Sequence, residues 1–118
     1  MKKDPKVYCE DILESINDIF DYTRGDNFHK FLNSKKTQDA VVRRLEIIGE
    51  AGKRIPHDIK TKNPQIPWKD IMGMRDIIAH DYDTVNLEKI WDVIENDLSP
   101  LEKQIRLILE SLSPEGRG

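Results

Sequence analysis

A chain of 118 residues is long enough to bury one modest core and too short for two, so a single domain is the expectation. Charged residues (35%) nearly match hydrophobic ones (37%), which favours amphipathic helices with solvated faces over a thick enclosed sheet and makes the expected fold class all-α. One cysteine excludes an intrachain disulfide, a net charge of −3 argues against a general nucleic-acid coat, and no run approaches the roughly 20 apolar residues of a membrane span.

The charges are not spread evenly. Residues 1–29 carry four basic and seven acidic side chains, residues 30–62 nine and four, and residues 63–118 six and eleven. Only the middle stretch could attract a polyanion, and within it Arg43, Arg44, Lys53 and Arg54 are the candidates for guiding RNA; a solvated helix with basic flanks is the competing reading. The start at Met1, with Lys2, Lys3 and Asp4, has none of the apolar character of a signal peptide, so a cytoplasmic location is expected.

In chain order, Cys9, Ile12, Leu13, Ile16, Ile19 and Phe20 recur at helical spacing and predict a first helix from Lys6 to about Thr23, ended by Gly25. Asp26 is the expected N-cap of a short helix carrying Phe28, Phe31 and Leu32, and a turn follows around Ser34. Val41, Leu45, Ile48 and Gly52 form the stripe of a second long helix from Lys36 to Ile55, with Arg43, Glu46, Glu50 and Lys53 on its opposite face. Pro56 stops it, and residues 56–67 read as a loop with room for one helical turn.

Pro67 suits the first turn of a helix running through Trp68, Ile71, Met74, Arg75 and Ile78 to near His80, with Gly73 inside it suggesting close approach of another backbone. Asn86 is the expected N-cap of the next helix. From there one apolar stripe, Ile90 through Leu98 and Ile105 to Leu112, continues past Pro100, as a kinked helix or two nearly coaxial ones would allow. The expected organisation is one helical domain over residues 1–112 and a frayed tail over 113–118.

One segment concentrates chemically capable side chains: Arg75, Asp76, His80 and Tyr82 at the end of an otherwise apolar helix. On a straight helix Arg75 and Tyr82 share a stripe, while His80 sits roughly 140° away from Arg75. Either the helix unwinds near His80, or a second copy supplies partner groups across a two-fold axis, which predicts a dimer. Histidine titrates near neutral pH and arginine offers a charged fork to phosphate, a pair suited to metal-independent RNA cleavage. By spacing alone, an Arg and a His that cap helix carbonyls, and a Tyr that packs, are the favoured reading.

The pattern of Arg75, four residues, His80, one residue, Tyr82 resembles the signature of the HepT-like (DUF86) family of HEPN-domain proteins, toxins paired with minimal nucleotidyltransferase (MNT) antitoxins. The blocks Val41–Ala51, Ile66–Arg75 and Val85–Leu101 resemble further family blocks, so the likeness covers most of residues 6–110. The resemblance implies an antiparallel bundle of four to six helices that dimerises around a shared cleft, and a ribonuclease without metal or cofactor, acting in a type VII-like toxin–antitoxin system on RNA such as tRNA or mRNA. It implies His80 as the proton-transfer residue, Arg75 as the stabiliser of transition-state charge, Asp76 as an orienting group and Tyr82 as the acceptor of AMP from the antitoxin.

Three departures stand out. Gly52 replaces a usually larger residue, Lys53 lies where a positive residue is common, and Asp81 and Asp83 flank Tyr82 and make the site less welcoming to phosphate. The alternative to a nuclease is a catalytically inert helical module that binds a nucleotidyltransferase, and a purely structural helical protein is a third reading. His29 and His57 are expected to be surface residues.

Overall fold

The structure, a computed structural model, describes residues 4–74 and 84–112. Helix α1, Pro5–Tyr22, begins where Asp4 accepts the Lys6 N–H at 2.9 Å and Pro5 takes the first helical position, where its missing N–H costs nothing. It ends where the N–H and hydroxyl of Thr23 both donate to the Ile19 carbonyl, and Gly25 then turns the chain at φ 78°, a conformation that favours glycine. The short helix α2, Phe28–Leu32, is capped by Asn27 rather than by the expected Asp26: Asn27 Oδ1 accepts the Lys30 N–H at 2.9 Å, one residue closer to the helix.

Helix α3, Lys35–Arg54, starts at Ser34, whose hydroxyl accepts the Thr37 N–H. The expected turn at Ser34 is therefore a cap. Gln38, buried in the first turns of α3, donates from Nε2 to the carbonyls of Phe31 and Leu32 at 2.9 and 3.0 Å and so serves the open C-terminal end of α2. After Pro56 the chain makes α4, His57–Lys62, the one helical turn and a half that the loop reading left room for.

Helix α5 spans Trp68–Met72, with Pro67 at its N-cap and the Gly73 N–H still donating to the Lys69 carbonyl at 2.9 Å; Met74 is helical again, and the expected continuation to near His80 lies outside the described residues. Among the described residues no neighbouring backbone approaches Gly73: an added Cβ would meet carbonyls of α5 itself, Lys69 O at 3.2 Å being the nearer.

Helix α6, Thr84–Asp92, already includes Asn86 in its first turn, so Asn86 is not the cap. A π-helical turn, Val93–Asp97, joins α6 to α7, Leu98–Leu112, with the Leu98 N–H donating to the Val93 carbonyl five residues back. The wide turn explains how the apolar stripe passes Pro100: it lies just before the proline and gives room where a regular turn would clash with the ring. The register shift sits before Pro100, not at it.

Among the described residues there is no strand, and no helix is long and apolar enough to cross a membrane. The fold is an all-α antiparallel bundle. Its centre is α1 packed on α3 and α7, with Ile12, Ile16 and Ile19 meeting Val41, Leu45, Ile48, Leu98 and Ile105, all essentially without solvent exposure. Tyr8 shares a groove with Arg54 while Asp18 pairs with Arg44, so early residues of α1 meet late residues of α3 and the two run antiparallel. Fully buried Phe31 packs its ring against Trp91, centroids 5.3 Å apart, and ties α2 to α6.

Candidate functional site

Arg75, Asp76, His80 and Tyr82 lie outside the described residues, as do Asp81 and Asp83 and the helical register that relates them. The described residues on either side are well anchored. On the N-terminal side Met74 is buried, and Ile71, one turn earlier, packs against the bare backbone of Gly52 on α3. Trp68 opens α5 with its indole N–H donating to the Asn63 carbonyl at 3.0 Å, and the Lys60 ammonium stands 6.0 Å from the centre of that ring. On the C-terminal side Leu87 and Ile90 are buried in the core. The segment 75–83 thus leaves one core-anchored helix and enters another.

Lys60 contributes more than its loop position in the sequence implied. Its ammonium lies 3.4 Å from the Lys53 carbonyl at the end of α3 and 3.5 Å from Met72 Sδ, so one side chain clips α4 to α3 and α5. Burial lowers its pKa. The alternation of Ile59 and Lys60 before an isolated Trp68 was the available signal, but no local period identifies such a contact.

Beside Met74 a groove of about 280 Å³ opens between α5 and the start of α7, with Pro67, Ile71 and Leu101 as apolar walls and Asp70, Asn96 and Asp97 among its polar groups. Partial burial, then the charges of Asp70 and Asp92, push the Asp97 carboxyl above its ordinary pKa. Among the described residues this groove is acidic, in keeping with the excess of negative charge in residues 63–118. The polar run Glu95–Asn96–Asp97, set in an otherwise apolar stripe, was its signal in the sequence.

The four basic candidates of α3 are not all placed together. Arg44 reaches α1, 3.2 Å from Asp18, and a hydrogen bond to the Tyr22 hydroxyl, with the Asp18 charge, raises its pKa. Arg43 pairs with Glu46 at 3.3 Å on its own helix. Arg43 and Arg54 line a second groove, of about 420 Å³, between α1 and α3, where Tyr8, Asp11 and Glu50 also stand. Lys53 is exposed next to it in sequence but outside that lining. His29 and His57 are exposed, as expected. Among the described residues no group of three or more His, Cys, Asp or Glu is placed to hold a metal ion.

Comparison with known proteins bears on the family of the chain. The family model described as Ribonuclease HepT-like matches residues 12–108, a span that includes both anchors and the segment between them. The chain is 44% identical over 114 residues to "Putative RNase MJ0127" of Methanocaldococcus jannaschii, covering 97% of this chain and 94% of that one. It is 46% identical over 102 residues to "Probable ribonuclease HepT" of Thermococcus cleftensis, covering 86% and 93%, and 40% identical over 108 residues to "Putative RNase TTE0752" of Caldanaerobacter subterraneus, covering 92% and 96%. No solved structure matches the chain. With relatives aligned along nearly their whole lengths and the family model matched through all but the ends, the chain belongs to the ribonuclease HepT-like family.

Proposed function

We propose that this protein is a metal-independent ribonuclease, the toxin of a cytoplasmic HepT/MNT toxin–antitoxin pair, acting as a homodimer with the Arg75, His80 and Tyr82 segments of both copies around one cleft. The observation that carries the reading is the family match across residues 12–108, which encloses the Arg75–Tyr82 pattern between the anchors Met74 and Leu87. In this reading His80 takes the proton of the ribose 2′-hydroxyl as its oxygen attacks phosphorus. The bond from phosphorus to the 5′-oxygen breaks, and the leaving alkoxide regains a proton. Arg75 holds the negative charge that develops on the phosphate oxygens, and Asp76 orients one of the pair.

Tyr82 is the proposed control point. Its phenolic oxygen bonds to the α-phosphorus of ATP on the nucleotidyltransferase partner, pyrophosphate leaves, and the attached AMP brings a phosphate beside Arg75 and His80. That phosphate competes with RNA for the same donors, which accounts for silencing. The sequence supports this through the Arg-His-Tyr pattern alone.

A second reading, an inert module that binds a nucleotidyltransferase, is favoured by the acidic groove beside Met74, where Asp70 and Asp97 repel RNA phosphate. One experiment separates the two. Purified protein without its partner is incubated with RNA in the presence of EDTA. The nuclease reading expects cleavage that His80→Ala lowers about 10²–10⁴-fold at unchanged helical content. Equal cleavage by the variant, or none by the parent protein, overturns it.

A further inference from the structure

Helix α5 is held from two sides, and the two grips differ in kind. One is apolar: Ile71 packs on the bare backbone of Gly52 in α3, and Met74, three residues on, is buried. Apolar packing is non-directional, so by itself it leaves a helix free to roll by a few degrees. The other side is the stripe of Trp68 and Met72. These lie four residues apart, about 40° from one another around the axis, with Ile71 roughly 60° to the far side of Trp68.

Lys60 of α4 covers that second stripe. Its ammonium stands 6.0 Å from the centre of the Trp68 ring and 3.5 Å from Met72 Sδ, at the first and last residues of α5, and 3.4 Å from the Lys53 carbonyl in the last turn of α3. Carbonyls in the last turn of a helix run out of helical donors, and a cation is favoured there. Among the described residues no carboxylate pairs with this ammonium, and desolvation is what lowers its pKa. A half-buried cation without a counter-ion supplies little through charge pairing. What it supplies is direction, because its contacts depend on where α5 stands relative to the end of α3.

We infer that Lys60 is a positioning residue for the Arg75–Tyr82 segment: by spanning Trp68 and Met72 it fixes the roll of α5 on α3, and with it the direction in which the chain proceeds to Arg75. The inference rests on the nuclease reading above and adds to it a residue that lies outside the motif. Without the cation α5 keeps its apolar seat at Gly52 and loses the directed contacts. The charge that Arg75 brings to the transition state is then less well aimed, a loss that falls on turnover and not on affinity for RNA.

Two variants test this. Lys60→Met keeps the length of the stem and removes the charge, whereas Lys60→Arg keeps a cation. RNA cleavage is measured over a range of RNA concentrations, and hydrogen exchange of the Gly73 amide, which donates to the Lys69 carbonyl, is followed on the same proteins by NMR. Lys60→Met is expected to lower kcat about tenfold at unchanged KM and to speed exchange at Gly73 about tenfold, with amides in the middle of α1 and α3 unaffected; Lys60→Arg is expected to restore both to within about threefold. A lysine that only stabilised the fold would speed exchange in α1 and α3 as well and leave kcat per folded molecule unaltered. That pattern overturns the inference, as do an unchanged kcat, a loss carried by KM, unaltered exchange at Gly73, or a loss that Lys60→Arg does not restore. If Lys60→Met loses its helical circular dichroism, Lys60→Gln runs the same comparison. A parent protein that cleaves no RNA removes the nuclease reading, and Gly73 then decides alone: faster exchange in Lys60→Met keeps Lys60 as the residue that sets α5, and unaltered exchange removes it.

Discussion

Gly52 of α3 and Ile71 of α5 fit against each other only because Gly52 has no side chain: a Cβ there would lie 2.7 Å from Ile71 Cγ2, well inside contact distance. Ile71 cannot swing away, since it is β-branched and 1% exposed. This contact seats the helix that leads into Arg75.

Gly52→Ala is therefore expected to destabilise the fold by about 1–3 kcal/mol, although alanine is the better helix former. Urea denaturation measures the loss. RNA cleavage should fall as well, because α5 must shift to relieve the overlap. A more stable Ala variant would show that the contact relaxes freely.

Gln38 gives a second prediction. Its side-chain amide serves two carbonyls at the end of α2, so Gln38→Leu leaves both without that donor in a buried place. The expected cost is about 1–3 kcal/mol by chemical denaturation, and the Phe31 and Trp91 stack should loosen with it. Trp fluorescence and a thermal melt report the two effects together.

Cys9 is fully buried, and its thiol is pushed up to about 11 by burial, with Glu10 adding to the shift. The native protein at pH 8 should react with a thiol reagent only as fast as it opens, while the unfolded chain reacts at once. The linkage has a definite sign. The unfolded thiol ionises near 9.0 and the folded one near 11, so the stability this group contributes is whole below pH 9 and is lost as pH rises through 11. Cys9→Ala should flatten that alkaline decline in a pH series of denaturation midpoints.

Asp97 behaves in the same sense at acid pH. Its carboxyl is raised by burial and by the neighbouring charges of Asp70 and Asp92, so the folded state favours the protonated form. Stability from this group is present below the ordinary aspartate pKa and lost as pH rises through the elevated one. Asp97→Asn should be the more stable protein at pH 7, with the advantage shrinking towards pH 3.5. An advantage that is constant with pH would assign the effect to something other than charge.

The helices with long apolar periods were legible from the residues. The stripe of α1 is visible from Cys9 to Ile19, and that of α3 from Val41 to Gly52, because burying one face of a helix forces a period near 3.6. The start of α5 at Pro67 was legible as well, while the expected stretch beyond Met74 to near His80 lies outside the described residues. Asp26 and Asn27 are both good caps by type, and only the observed hydrogen bond to Lys30 chooses between them.

The residues of the candidate site were likewise nameable from local pattern: Arg75, Asp76, His80 and Tyr82 stand out by type and spacing, which the sequence contains in full. What tertiary structure alone decided is how the described residues on either side of that segment, and the helices behind them, are held. Gly52 beneath Ile71, Lys60 over Trp68, Arg44 turned to Asp18 and the groove of Asp70 and Asp97 all join residues distant along the chain. Such contacts depend on how helices cross and on which side chains fill the space between them. A one-dimensional period records which face of a helix is buried; it carries no information on what lies across from it.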